Sequence, residues 1–483
     1  MIRPGLMALA VAAALGIASQ SACAANDEEL KQLREQVRQL KEQYQKQIEA
    51  LEKRLERAEA AAEKAEATAR GADDTASKAE SAASQAAVLA SSRPAGESAM
   101  NPGVSLILNG IYSNLSQDPG KFKINGFIPT LGDVAPPVRG LSLGESELAF
   151  ASNVDQDFRG TLIASISPDN NSAEIEEGYI QTLALSNGFT IKAGRFFSGV
   201  GYQNQIHAHA WDFADAPLAN KVFLGNQLNE DGIQFMWVAP TDLYVDLGLE
   251  LGRGRKFPGG PDGGRDKNGF GSSNLFTHLG GDIGASMAWQ AGLSYLSTSP
   301  QDRTYSDLDS TGATVTNSFS GTSRLWVADG ILKWAPKGNP TETNFKLQGE
   351  YFRRTEDGDL VYDTTGASLG TRTGGFNSRQ SGWYLQGVYQ FMPMWRIGYR
   401  YDRLSSGNTD LGLVDSGALS AANFPILAAY NPTRNTLMAD WSPSEFSRVR
   451  LQLARDQSRL GATDNQVFLQ YIMSLGAHGA HKF

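Results

Sequence analysis

The chain of 483 residues has a single cysteine, Cys23, at the end of an N-terminal secretory signal. It leaves with that signal, so the mature chain has no disulfide framework and no thiolate metal site. Beyond the first 25 residues no run is apolar enough to cross a membrane as a helix. Acidic residues outnumber basic ones, for a net charge of -9, which argues against the basic face that nucleic acid requires. A glycine-rich strand-to-helix loop is missing, which excludes a nucleotide fold; Gly254 to Gly271 is rich in Gly, Asp and Pro, but no helix follows it. His278 is the only histidine near candidate strands, and no Ser/His/Asp constellation surrounds it. The chain is therefore not expected to be an enzyme.

What is present begins with the signal, residues 1–25. Arg3 supplies its positive region, Leu6 to Ile17 its apolar core, and Ala22-Cys23-Ala24 its small-residue cleavage site. Lipidation of Cys23 competes, but Gln20 stands where a lipobox wants an apolar residue. Residues 26–90 are expected to form an α-helical coiled coil. Leu30, Leu33, Val37, Leu40 and Tyr44 follow heptad spacing, and the seam then shifts by one residue to Ile48, Leu51, Leu55 and Ala58. Such a helix would reach about 90–100 Å, and its seam needs partner helices to be buried; the alternative is a lone solvated charged helix. Pro94, Gly96, Pro102 and Gly103 mark residues 91–103 as a linker.

From Val104 onward the apolar period falls to two. Leu243, Val245, Leu247, Leu249 and Leu251 share one face, while Tyr244, Asp246, Gly248 and Glu250 share the other. Trp395 to Asp402 and Phe345 to Tyr351 alternate in the same way. Apolar and aromatic residues on one face with charges on the other is the pattern of a lipid-facing strand around a polar lumen. Sixteen such strands are expected, starting near Val104, Ser142, Phe158, Ala173, Gly188, Asp231, Leu243, Ser273, Ala285, Ser323, Asn344, Gly382, Met394, Thr433, Phe446 and Asn465, each of about 10 residues. Short turns such as Ser186-Asn187, Pro240-Thr241 and Met392-Pro393 alternate with long loops rich in Gly, Asp and Asn, although the connections near Asp169 and Asp456 are shorter. The expected fold is thus all-β and transmembrane: a 16-stranded antiparallel outer-membrane β-barrel over residues 104–483, with the N-terminal coiled coil in the periplasm. A twenty-two-stranded transporter with a plug domain would need far more chain.

The alternation also sorts lumen charges. Arg396, Arg400, Arg448 and Arg450 on the thirteenth and fifteenth expected strands form a basic wall. Glu145, Glu147, Asp246 and Glu250 on the second and seventh form an acidic one, and Asp212, Asp215 and Lys221 lie in the third outer loop, about residues 197 to 229. Such an arrangement would impose a transverse field on solutes; the alternative is that these charges pair locally. His207-x-His209 in that loop and His478-x-x-His481 in the tail are imidazole pairs suited to Zn²⁺ or Cu²⁺, though two ligands make a weak site. No cofactor is otherwise expected.

The plan of signal, coiled coil, linker and sixteen strands resembles the DcaP-like trimeric porins and, more distantly, the phosphate-selective porins. Ile191-Lys-Ala-Gly-Arg-Phe-Phe-Ser-Gly-Val-Gly201 is similar to their strand running into the third loop, and Phe483 resembles the terminal aromatic read by the outer-membrane assembly machinery. One departure is that the last alternating run ends near Leu475. The resemblance implies a homotrimer in outer-membrane lipid, passive diffusion of small hydrophilic solutes, and a third loop that folds inward to narrow the pore. The loop lacks a Lys or Arg cluster, which speaks against dedicated phosphate selectivity. His207-Ala-His209 also resembles a segment of zinc-regulated outer-membrane receptors, which leaves a zinc- or ligand-binding receptor as the alternative. A structural envelope tether is a third reading.

Overall fold

The computed structural model describes residues 103–130, 134–167, 172–261 and 268–476, together with Glu35 and Arg38. Within the expected coiled coil these two are helical, and the Arg38 guanidinium donates to Glu35 at 2.8 Å. The remainder of that helix, the signal, Phe483 and the His478/His481 pair lie outside the described residues.

Eighteen strand segments build one sheet. They are β1 Gly103–Leu115, β2 Gly140–Leu143, β3 Ser146–Asn153, β4 Phe158–Ser167, β5 Ser172–Thr182 and β6 Phe189–Phe197. Next come β7 Asn229–Val238, β8 Tyr244–Gly252, β9 Ser272–Ile283, β10 Met287–Thr298, β11 Arg303–Leu308 and β12 Thr314–Trp334. The last are β13 Asn344–Tyr362, β14 Arg372–Met392, β15 Trp395–Leu411, β16 Thr433–Ser444, β17 Ser447–Gln457 and β18 Asp464–Gly476. All pair antiparallel with their neighbours. The sheet closes because β1 pairs with β18, from Ser105↔Gly476 to Leu115↔Gln466, and on its other edge with β3.

The wall has sixteen staves, because two of them are broken. β2 and β3 both pair with β1 and form one stave interrupted at Gly144 and Glu145. β10 and β11 likewise face the lower and upper halves of β12. At Gly144 a Cβ would come within 2.4 Å of the Asn109 side-chain amide, so a larger residue there would have to displace Asn109.

Period two is written into the exposure of the longer staves, such as β14, β15, β17 and β18. Leu247, Leu249, Leu385, Leu451, Leu453 and Leu469 are exposed on the outer face, while Asp246, Gln386, Arg450 and Gln470 between them are buried within. At the short-turn end, Trp395 stacks on Trp441 at 6.0 Å and Phe189 on Trp237 at 6.2 Å, as in an interfacial aromatic girdle. Among the described residues no helix is long and apolar enough to cross a membrane; the crossing is made by strands.

The wall is uneven. β12, β13, β14 and β15 have 21, 19, 21 and 17 residues, whereas β3 and β8 have 8 and 9. The expected uniform length of about ten is corrected for this high side. The extensions, such as Glu356-Asp-Gly-Asp359, carry polar residues at successive positions and lack the lipid-facing stripe by which a strand is recognised.

Candidate functional site

The third outer loop, residues 198–228, leaves the wall through Ser198-Gly-Val-Gly201 and turns into the barrel. A Cβ at Gly199 would lie 2.5 Å from the Phe276 ring, and Gly201 has φ +66 beside Glu350, so both glycines are required for this close passage. Wall carboxylates hold the entry. Glu250 accepts the Gly199 N–H at 2.7 Å and the Ser198 hydroxyl, while Glu350 accepts the N–H groups of Tyr202 and, at 2.8 Å, Gln203. Asn204 closes the loop base, donating to the carbonyls of Ser198 and Leu228 and accepting the Leu228 N–H at 2.6 Å. A hydrogen bond to an ionised carboxylate contributes about 1.5–3 kcal/mol, and a neutral one such as those of Asn204 about 0.5–1.5 kcal/mol.

Further along, the loop reaches both charged walls. On the acidic side, His209 Nδ1 lies 2.7 Å from Glu147, His207 Nε2 lies 3.0 Å from Glu177, and His207 Nδ1 faces Glu147 and Glu176 at 3.2 and 3.4 Å. Burial alone would depress the His207 imidazole, but Glu147, Glu176 and Glu177 around it raise it well above its ordinary range. On the basic side, Asp212 pairs with Lys346 and with Arg396 at 3.2 Å, and Asp215 pairs with Arg434 and with Arg400 at 3.1 Å. Burial would raise both aspartates, yet the cations hold their carboxyls well below the usual range.

Helix α1, Leu218–Leu224, ends the loop and is capped by Gly225 in the left-handed region at φ 65. Its first N–H bonds Asp402 at 2.9 Å. Leu218, Val222 and Phe223 pack on inward-facing Leu325, Phe352, Tyr384 and Leu404, with Ile124 and Phe127 of the first loop, in an apolar core inside the barrel. Lys221 lies within this packing, 3.5 Å from Asp215 and donating to the Val134 carbonyl at 3.0 Å. Burial lowers its ammonium from the ordinary lysine value.

The structure therefore brings the three expected loop charges, Asp212, Asp215 and Lys221, to the high side of the barrel. Of the basic-wall residues, Arg396 also binds Asp440 at 2.6 Å and Arg400 binds Asp402 at 3.1 Å; Arg448 and Arg450 both donate to the Trp211 carbonyl. Of the acidic-wall residues, Glu147 meets the loop histidines, Glu250 holds the loop entry, Asp246 pairs with His278 at 2.9 Å, and Glu145 adjoins Glu176. The loop places its aspartates beside Arg396 and Arg400 and its histidines beside Glu147, while several of the expected wall charges pair locally, Arg396 with Asp440, Arg400 with Asp402 and Asp246 with His278. Sequence reading put Glu350 and Asp402 on the polar face without naming them as site residues, and passed over Glu176, Glu177, Asp440 and Arg434. Period two places Glu350, Asp402, Asp440 and Arg434 inward, so that signal was available. The tandem Glu176-Glu177 falls at a register shift between β4 and β5, where simple alternation fails.

No family model matches the chain. An uncharacterized protein of Aquifex aeolicus (strain VF5) is 28% identical over 412 residues, covering 81% of each chain. Among solved structures, a loop-deletion mutant of OmpT, an outer membrane protein of Vibrio cholerae, covers 78% of this chain and 100% of its own at 10% identity and a TM-score of 0.48. The outer membrane channel DcaP of Acinetobacter baumannii covers 78% and 97% at 14% identity and a TM-score of 0.45. The chain is similar to these proteins in barrel form, and the closed strand pairing establishes the fold without them.

Proposed function

We propose that the protein is an outer-membrane porin through which small hydrophilic solutes diffuse, with the third loop as its constriction. The observation that carries this reading is a closed membrane barrel whose third loop is clasped by both charged walls. Solutes would pass where inward side chains remain partly exposed, beside Lys192, Arg159 and Thr161 on the low side. Mechanism on this reading lies in width and charge, with no bond made or broken. Removing residues 205–215 is expected to raise single-channel conductance several-fold in planar bilayers; unchanged conductance of folded protein would overturn the constriction. The sign of the reversal potential under a salt gradient reports which charges dominate the path.

Three copies are proposed to associate through the low wall. There the outer face of β4 to β6 carries Gly160, Gly178 and Ala193, and the ion pair Arg195–Asp231 at 2.6 Å interrupts the apolar band. Small residues permit close approach of a second wall, and a charged pair facing lipid is costly unless covered.

A second reading, a ligand-binding outer-membrane receptor, is favoured by how completely the lumen is filled. Arg354, Arg400, Arg434 and Arg450 are each no more than 1% exposed. Electrically silent, fully folded protein in the same bilayers would select it.

A further inference from the structure

The loop histidines and the low wall together form a cluster that the diffusion reading does not use. His207 and His209 lie on the loop in partly stacked planes with ring centres 5.8 Å apart. Glu147 enters from β3, and Glu176 and Glu177 from β5. One ligand atom each from Glu147, His207 and His209 lie within 4.8 Å of one another. His207 Nδ1 and Glu176 Oε2 are both buried and neither makes a hydrogen bond. Buried polar atoms without a partner are rare and costly.

The spacing of these orphaned atoms is informative. Imidazole and carboxylate ligands bind Zn²⁺ at about 2.0–2.2 Å, and a tetrahedral arrangement then separates neighbouring ligand atoms by about 3.3–3.6 Å. His207 Nδ1 lies 3.2 Å from Glu147 Oε2 and 3.4 Å from Glu176 Oε2, in contacts that lack hydrogen-bond geometry. Glu177 accepts from the other ring nitrogen of His207 at 3.0 Å, the position of a supporting carboxylate that fixes a metal-bound imidazole's tautomer. Charge agrees: Glu147, Glu176 and Glu177 converge on two imidazoles, with Lys192 the cation acting on Glu177.

We propose that His207, His209 and Glu147 bind a divalent transition-metal ion of the Zn²⁺ type, with Glu176 as fourth ligand. Two imidazole nitrogens select such ions over Ca²⁺ and Mg²⁺, which prefer all-oxygen sites. The ion would join the loop to β3 and β5 on the side opposite its aspartate contacts. This site is independent of whether solutes pass the barrel.

The test uses the full-length protein, folded in detergent and stripped by a chelator. Isothermal titration with ZnCl₂ should give one site per chain that a hundredfold excess of CaCl₂ does not displace, and CoCl₂ should give the visible absorption of tetrahedral cobalt. Glu147→Gln should weaken Zn²⁺ at least tenfold and alter the cobalt spectrum. His207→Ala combined with His209→Ala should abolish both, with heat-modifiable migration reporting that each variant has folded. Absence of Zn²⁺ binding by the folded wild-type protein overturns the proposal, as does binding unaltered in Glu147→Gln. Should the double histidine variant fail to fold, the Glu147→Gln titration decides alone.

Discussion

The two flanks of the third loop are held by different chemistry. On the high side two aspartates meet Arg396, Arg400, Arg434, Lys221 and Lys346, so each carboxylate is shared between an arginine and at least one further cation. On the low side the arithmetic is reversed: carboxylates surround two imidazoles, which are cationic only when protonated. Both flanks retain buried atoms without a hydrogen bond, but on the first they are guanidinium donors such as Arg434 Nε and on the second they are the ligand atoms His207 Nδ1 and Glu176 Oε2. A loop fastened this way has one fixed edge and one edge whose hold depends on the cation supplied to it.

The largest expected effect comes from breaking the fixed edge. Asp215→Ala leaves Arg400 and Arg434 buried without their shared partner, a loss of about 3–5 kcal/mol for a buried pair with one member removed. Thermal melting of the folded barrel should fall accordingly, and channel current should become noisier as the loop loosens. The conditional edge should give way at smaller cost. Glu177→Gln weakens the acceptor for His207 and for the Phe197 N–H, and should cost about 1–2 kcal/mol in the same melt. Equal effects from the two substitutions would remove the distinction between the flanks.

The smallest effect expected is that of acid on the aspartate edge. Asp212 and Asp215 have folded-state values below their ordinary 3.8. A depressed carboxyl contributes stability that is complete above the unfolded value and lost as pH falls through the folded one. Loop attachment on this edge should therefore be constant from about pH 8 to pH 5 and fail only in strong acid, about pH 3 and below. The difference in melting temperature between the wild type and Asp212→Asn, followed against pH, reports this edge; a difference that begins to shrink near neutrality would contradict the assignment.

The barrel was largely legible in the sequence because lipid imposes a one-sided pattern. Leu243 to Leu251 alternates strictly, and β4, β13 and β16 begin at Phe158, Asn344 and Thr433, as the alternation indicates. An expected start near Ser142 spans the break between β2 and β3, whereas β11, Arg303–Leu308, falls in what the alternation reads as an outer loop. Legibility ended where lipid ends. Above the membrane, β12 to β15 continue without an apolar stripe, and nothing local separates them from loop. The candidate site was half legible. His207 and His209 stand two residues apart and invite attention, but Glu147 lies 62 residues from His209 and Asp215 lies 219 from Arg434. Such pairings are set by barrel closure, which brings distant strands across one lumen, and no local spacing encodes them.

The apolar core around α1 has a consequence for how the molecule is made. A sheet that is greasy toward lipid is here also greasy inward, at Leu325, Phe352 and Leu404. The loop that covers this inner surface bonds staves from β3 round to β17, nearly the whole circumference, while the β1–β18 seam is the joint between the two ends of the sheet. A loop docked before the seam shuts would act as a mandrel that sets the curvature of the sheet, so that sealing the last joint and burying the last leucine become one event.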